Sequence, residues 1–247
     1  MCQKEAKKPG GEATRTEAED ALFRHALGSL DVIYAHRSLA SFLSTRLPDG
    51  VDLERGYGSR GWCNFERAEG QLVKPDGFCI DIGLFTVDKA CEKYHHVGTA
   101  LRIGEAPFAQ RTVSELGKQG SYVRDSLRGM LGKLVGSGRR APLAPAAFGE
   151  VLASCTFTSG ADSAVVLDLY RKTATALLGS ATELRFDKLE WAADDYRGLG
   201  EALRYCGALE TLALENMKFD EAGSAAVKAW ELPPSLQTLG LSGCSSL

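Results

Sequence analysis

The sequence predicts an α/β protein: a small N-terminal α/β module, a helical connector and a short C-terminal stack of β-α units. Three observations carry this. Apolar residues recur at helical spacing over Leu22, Phe23, Ala26, Leu30 and Ile33, and again over residues 161–178. Two short runs, Leu39–Ser44 and Phe78–Phe85, have strand character and alternate with helical segments. From Ala181 onward a single pattern of leucines repeats.

Residues 1–20 are polar, with Pro9-Gly10-Gly11, and bury too little to offset their ordering entropy, so they read as a disordered tail. A helix is expected over 21–35, then the strand 39–44, stopped by the turn chemistry of Leu47-Pro48-Asp49-Gly50. The glycine-rich loop Gly56–Gly61 leads into a helix from Trp62 to Val73, which ends at Pro75-Asp76-Gly77. After the second strand come a short helix over 86–96, a short strand at Ala100–Ile103 and a glycine-interrupted helix over 111–135. Arg139–Pro145 reads as a linker, because its two prolines resist both helix and central strand. The helix from Ala161 to Leu178 has capping-box spacing at Ser159 and Asp162. Its expected buried face is Val165, Val166, Leu169, Tyr170, Thr173 and Leu177, with Gly179 as a left-handed C-terminal residue. The implied domains are the tail 1–20, an α/β module 21–140, a linker and capping helix 141–180, and the repeated units 181–247.

The repeat aligns Ala181-x-x-Leu184-x-Phe186, Leu209-x-x-Leu212-x-Leu214 and Leu236-x-x-Leu239-x-Leu241, with offsets of 28 and then 27 residues. Leu189, Met217 and Cys244 follow at matching places, and Leu199 and Leu203 correspond to Ala226 and Trp230 in the connections. Each unit buries its leucines only against a neighbour, so stacking supplies the core, and the 161–178 helix is the expected cap. This pattern resembles leucine-rich repeats of the ribonuclease-inhibitor type. The resemblance covers 181–247 and implies a short solenoid that binds protein. Outward positions on its strands, at Glu183, Arg185, Glu210, Ala213, Gln237 and Gly240, form the expected binding surface.

In the N-terminal half, Ser59-Arg60-Gly61-Trp62-Cys63-Asn64-Phe65-Glu66 follows a strand-like run and a loop and opens a helix. Trp62 and Glu66 are four residues apart, hence on one helix face. The segment resembles the S-x-W-C-x-x-E motif of Toll/interleukin-receptor domains, with the module itself shorter than a full domain of that kind. In the enzymatic members that glutamate drives cleavage of the glycosidic bond of NAD⁺. The resemblance therefore implies an alternative function: NAD⁺ hydrolysis, with Glu66 catalytic and Trp62 against the cofactor. A carboxylate suits an oxocarbenium-like centre. The chain as a whole, through Tyr57-x-x-Arg60-Gly61-Trp62-Cys63-x-x-Glu66, Phe157-Thr158-x-Gly160-Ala161-Asp162 and the C-terminal repeats, is similar to leucine-rich-repeat proteins of eukaryotic microbes.

Composition bounds the remainder. The 247 residues carry 29 Lys and Arg against 32 Asp and Glu, a net charge of −3, which argues against binding nucleic acid or an anionic membrane by bulk charge. Seven cysteines, an odd number, favour a reducing compartment over a disulfide scaffold. No apolar run approaches a membrane span, and the start has no secretory h-region, so the expected location is cytoplasmic. Cys79, Cys91, His95 and His96, with Cys63 as a candidate fourth ligand, invite a zinc site, but they contain no C-x-x-C knuckle, and no metal is expected. The basic stretch Arg124, Arg128, Lys133, Arg139 and Arg140 lacks the spacing of a phosphate loop. Cys244-Ser245-Ser246-Leu247 is a loose prenylation box without aliphatic middle positions. The expected function is non-enzymatic protein binding without a cofactor. A fragment or degenerate paralogue of a longer repeat protein is a further alternative.

Overall fold

The computed structural model describes residues 16–46, 56–84, 139–157, 160 and 162–245. The expected turn at 47–50, the helices 86–96 and 111–135, the strand 100–103, the Ser159 cap, residues 1–15 of the tail, and Cys91, His95 and His96 lie outside them. So does the basic stretch up to residue 138.

The first helix begins earlier than its apolar spacing suggests. Thr16 and Glu19 exchange a capping box, Thr16 N to Glu19 Oε2 at 2.8 Å and Glu19 N to Thr16 Oγ1 at 3.3 Å, which starts α1 (Glu17–Leu27) inside the expected tail. The expected single helix breaks at residues 28–29, and α2 (Leu30–Tyr34) follows. Strand β1 (Ser41–Leu43), helix α3 (Gly61–Gln71) and strand β2 (Cys79–Asp81) form a parallel β-α-β unit, with Ser41 opposite Cys79 and Leu43 opposite Asp81. Gly61 opens α3 where a Cβ would run into the Phe157 ring, so only glycine fits this close approach. Helix α3 buries Phe65 and Ala68, with Leu72 beyond its end, in a core shared with the later helices.

The Arg139–Pro145 segment is only partly a linker. Pro145 stands at the first position of a helix, where its missing N–H costs nothing, and starts α4 (Pro145–Ala153). Helix α5 (Asp162–Ser180) packs on α4 through Phe148 and Tyr170, whose rings lie 3.9 Å apart. Its buried face is Val166, Tyr170, Thr173, Ala174 and Leu178. Val165 is instead 45% exposed, and Leu169 and Leu177 are half-buried at the margin. Gly179 is not left-handed, because α5 continues through it to Ser180.

The C-terminal strands β3 (Glu183–Asp187), β4 (Thr211–Glu215) and β5 (Thr238–Gly240) form a parallel sheet in that order. Helices α6 (Ala193–Leu203) and α7 (Glu221–Lys228) make the crossovers. Leu184 pairs with Leu212 and Leu212 with Leu239, while Phe186 pairs with Leu214. Leu184 and Leu212 are buried, and so are Phe186 and Leu214 beside them. Leu239 departs from the expected interior: it stays 41% exposed because, among the described residues, β5 has a neighbour on one side only. The described chain thus has the coarse class expected, α/β with parallel strands. Among the described residues no helix is long and apolar enough to cross a membrane.

A second periodicity lies in the backbone. Lys188, Asn216 and Gly243 adopt left-handed conformations, with φ of 54°, 53° and 68°. They stand four residues after Leu184, Leu212 and Leu239 respectively. The first two turns keep the ladder going beyond their strands: Lys188 N donates to Glu215 O at 3.0 Å, and Asn216 N to Ser242 O at 2.8 Å. Gly and Asn suit this conformation, whereas a lysine is strained by roughly 1 kcal/mol or more. Its exposed contact with Asp187, at 3.4 Å, offsets little. Lys188→Gly is therefore expected to raise the unfolding free energy by about 1 kcal/mol in urea denaturation, while Arg171→Gly, at an exposed mid-helix position, should lower it.

Candidate functional site

Strand alternation builds one candidate site. With Leu184 and Phe186 turned inward, Glu183, Arg185 and Asp187 point outward from β3. Thr211, Ala213 and Glu215 occupy the same face of β4, and Thr238 and Gly240 that of β5. Arg185 organises the face. Its Nε donates to Glu183 Oε1 at 2.6 Å and its Nη1 to Glu215 Oε1 at 3.2 Å, so one guanidinium ties β3 to β4. The hydrogen bond and charge of Glu183 hold Arg185 further into its protonated range. Asn216 Nδ2 donates to Asp187 Oδ1 at 2.8 Å on the same edge. Glu210 and Gln237 are exposed at the strand entrances. Their amides continue the ladder, Glu210 N to Thr182 O and Gln237 N to Glu210 O, both at 2.9 Å.

Of the six expected surface residues, Glu183, Arg185, Glu210 and Gln237 are exposed and Gly240 is half-buried. Ala213 is a correction, at 5% exposed. It sits on the central strand, with Arg185 and Gly240 as its register partners on either side. Asp187, Thr211, Glu215 and Thr238 belong to the face and are not among the six. Alternation from Leu184, Leu212 and Leu239 finds them.

The second candidate site surrounds Glu66. Its Oε1 accepts from Tyr34 Oη at 2.9 Å, which joins α2 to α3. Burial pushes the Glu66 carboxyl above its usual range, partly opposed by the hydrogen bond from Tyr34. Burial, then the bond to Glu66, pushes the Tyr34 phenol up to about 12. Tyr57 Oη donates to Cys63 O at 3.1 Å, and burial raises the Tyr57 phenol as well. Trp62 turns to another neighbour: its Nε1 donates to Asp162 Oδ2 at 3.2 Å, and its ring stands edge-on to Phe65 at 5.8 Å. Trp62 and Glu66 thus share a helix but engage different elements, α5 and α2.

Cys79 is fully buried and donates to Gly70 O at 3.0 Å, while Cys63 is half-buried on α3. Among the described residues no group of three His, Cys, Asp or Glu is placed to hold a metal. Cys244 is half-buried, with its Sγ 3.2 Å from Leu214 O.

The residues least visible in the sequence join the two halves. Arg139, 1% exposed, pairs with Asp76 at 3.1 Å. Asp76 Oδ2 also accepts from Asp187 N at 2.7 Å, at the end of β3. The Arg139 guanidinium lies 4.7 Å over the Phe186 ring, and its carbonyl accepts from Trp191 Nε1 at 3.0 Å. An aromatic row continues from there through Phe186, Trp191, Tyr196 and Phe219, with centroid steps of 4.7, 5.4 and 4.7 Å. The outward strand face is thereby fixed to the N-terminal β-α-β unit. No family model, curated protein or solved structure matches this chain.

Proposed function

We propose that this chain is a non-enzymatic protein-binding protein of the leucine-rich-repeat kind, and that it binds its partner on the outward face of β3, β4 and β5. The observation that supports this best is the shared register. Residues spaced like repeats are strand partners, and each strand is followed by a left-handed residue at the same place. Such a stack turns one face of its sheet outward at regular intervals. Glu183, Arg185 and Glu215 form a charged centre on that face, flanked by the exposed Glu210 and Gln237. The environments of Glu66 and Trp62 favour packing roles, since each polar group already serves a contact between helices. No cofactor is required by this reading.

Charge reversal at Glu210 tests it. Glu210 is exposed, so Glu210→Lys should leave the melting temperature unchanged. The full chain is used as bait, and the proteins it retains are quantified against those retained by the variant. At least a tenfold loss of a specific partner is expected, in line with a contact worth about 1.4 kcal/mol. Identical retention by Glu210→Lys and by a Glu183→Lys, Gln237→Lys double variant would remove this face as the binding surface.

A further inference from the structure

We infer that β5 is a self-association edge, on which a second copy of this chain pairs antiparallel about a two-fold axis at Gly240. The backbone sets the register. Thr238 N donates to Glu210 O at 2.9 Å, and Ser242 O accepts from Asn216 N at 2.8 Å. Residues 238, 240 and 242 therefore turn their backbone polar groups toward β4. Because a strand alternates, Leu239 and Leu241 direct theirs to the opposite edge. Among the described residues no strand pairs with that edge.

An axis through Gly240 places Leu239 opposite Leu241 of the second copy, and Leu241 opposite its Leu239. Residues paired in this way exchange both N–H···O=C bonds. Their side chains lie on the core side of the sheet, where Leu239 is 41% exposed although its register partner Leu212 is fully buried. Leu241, half-buried, would cover it across the axis. Gly240 meets its own copy as the closely spaced pair, with Cα atoms about 4.5 Å apart, where the absence of a side chain avoids crowding.

Charge selects a second copy as the occupant. A two-fold axis sets every charge near it against its own image. Residues 232–245 contain no charged side chain, so within this segment no like charges face each other across the axis. They also lack the lysines and inward charges that usually guard an open edge. Pro233 and Pro234 precede the strand and leave Leu239 and Leu241 free to donate. The contact is small, so association is weak and concentration-dependent. Its product is one continuous sheet in which the outward faces of both copies run together.

Sedimentation equilibrium of the 247-residue chain, from micromolar to millimolar concentration, tests this. A reversible monomer–dimer equilibrium is expected. Gly240→Lys and Leu239→Lys should each shift it at least tenfold toward monomer. A Cβ at Gly240 meets Ala213 Cβ at 3.7 Å, Ala213 Cα at 3.8 Å and Leu212 O at 4.0 Å, all ordinary contacts, so the monomer accommodates the first substitution. Hydrogen exchange of the unaltered chain supplies a readout independent of either variant: the amides of Leu239 and Leu241 should gain protection as concentration rises. A chain that stays monomeric throughout, association undiminished in both variants, or concentration-independent exchange at these two amides would each overturn the inference.

Discussion

Replacing Asp76 with alanine is expected to lower the unfolding free energy by about 3–5 kcal/mol, the usual cost of breaking a buried ion pair from one side. The size follows from what is left behind. Arg139 is 1% exposed and would keep its charge in an apolar setting against Phe186. The Asp187 amide would also lose its acceptor. For a chain of this size the loss corresponds to a fall of roughly 10 °C in melting temperature. Asp76→Asn separates the two contributions. It retains an oxygen for Asp187 N and discards the charge, so it should fall between the parent and the alanine variant. Urea denaturation with matched slopes measures all three. A cost below about 1 kcal/mol for Asp76→Ala would mean that the pair does not join the two halves.

The second large effect separates two leucines that are alike in sequence. Leu212→Ala is expected to cost about 2–5 kcal/mol, because a fully buried side chain on the central strand leaves a cavity between rigid neighbours. Leu239→Ala, at a site already 41% exposed, should cost less than about 1 kcal/mol in dilute solution. The position within the unit is the same in both; only the neighbouring strand beyond differs. Equal costs, read from denaturation midpoints, would show that burial along the sheet does not follow strand order.

These contrasts mark what the sequence discloses. Local spacing identified Leu184, Leu212 and Leu239 as equivalent positions, and they are register partners. Spacing alone could not disclose that Leu239 is open, since exposure depends on what stacks beyond it. Alternation placed Glu183 and Arg185 outward. It did not disclose that Ala213, a small side chain on the central strand between Arg185 and Gly240, is buried on that same face. Pro142 and Pro145 read as breakers, yet Pro145 begins a helix, because the first turn does not use its missing donor. The hardest case is Asp76 with Arg139. Each looked like surface chemistry, one in a turn and the other in a basic linker. Their partnership spans a long stretch of chain, and periodicity carries no record of such contacts.

The left-handed residues bear on how the chain tolerates change in length. Leu184 to Lys188, Leu212 to Asn216 and Leu239 to Gly243 are equal intervals, while successive units differ by one residue. The whole difference therefore falls in the connections behind the sheet. Insertions and deletions have a permitted side, the helical one, where a residue gained or lost alters only a loop or a helix end. The strand side keeps its spacing through such events, so the connections are free to diverge while the arrangement of groups offered at the front persists.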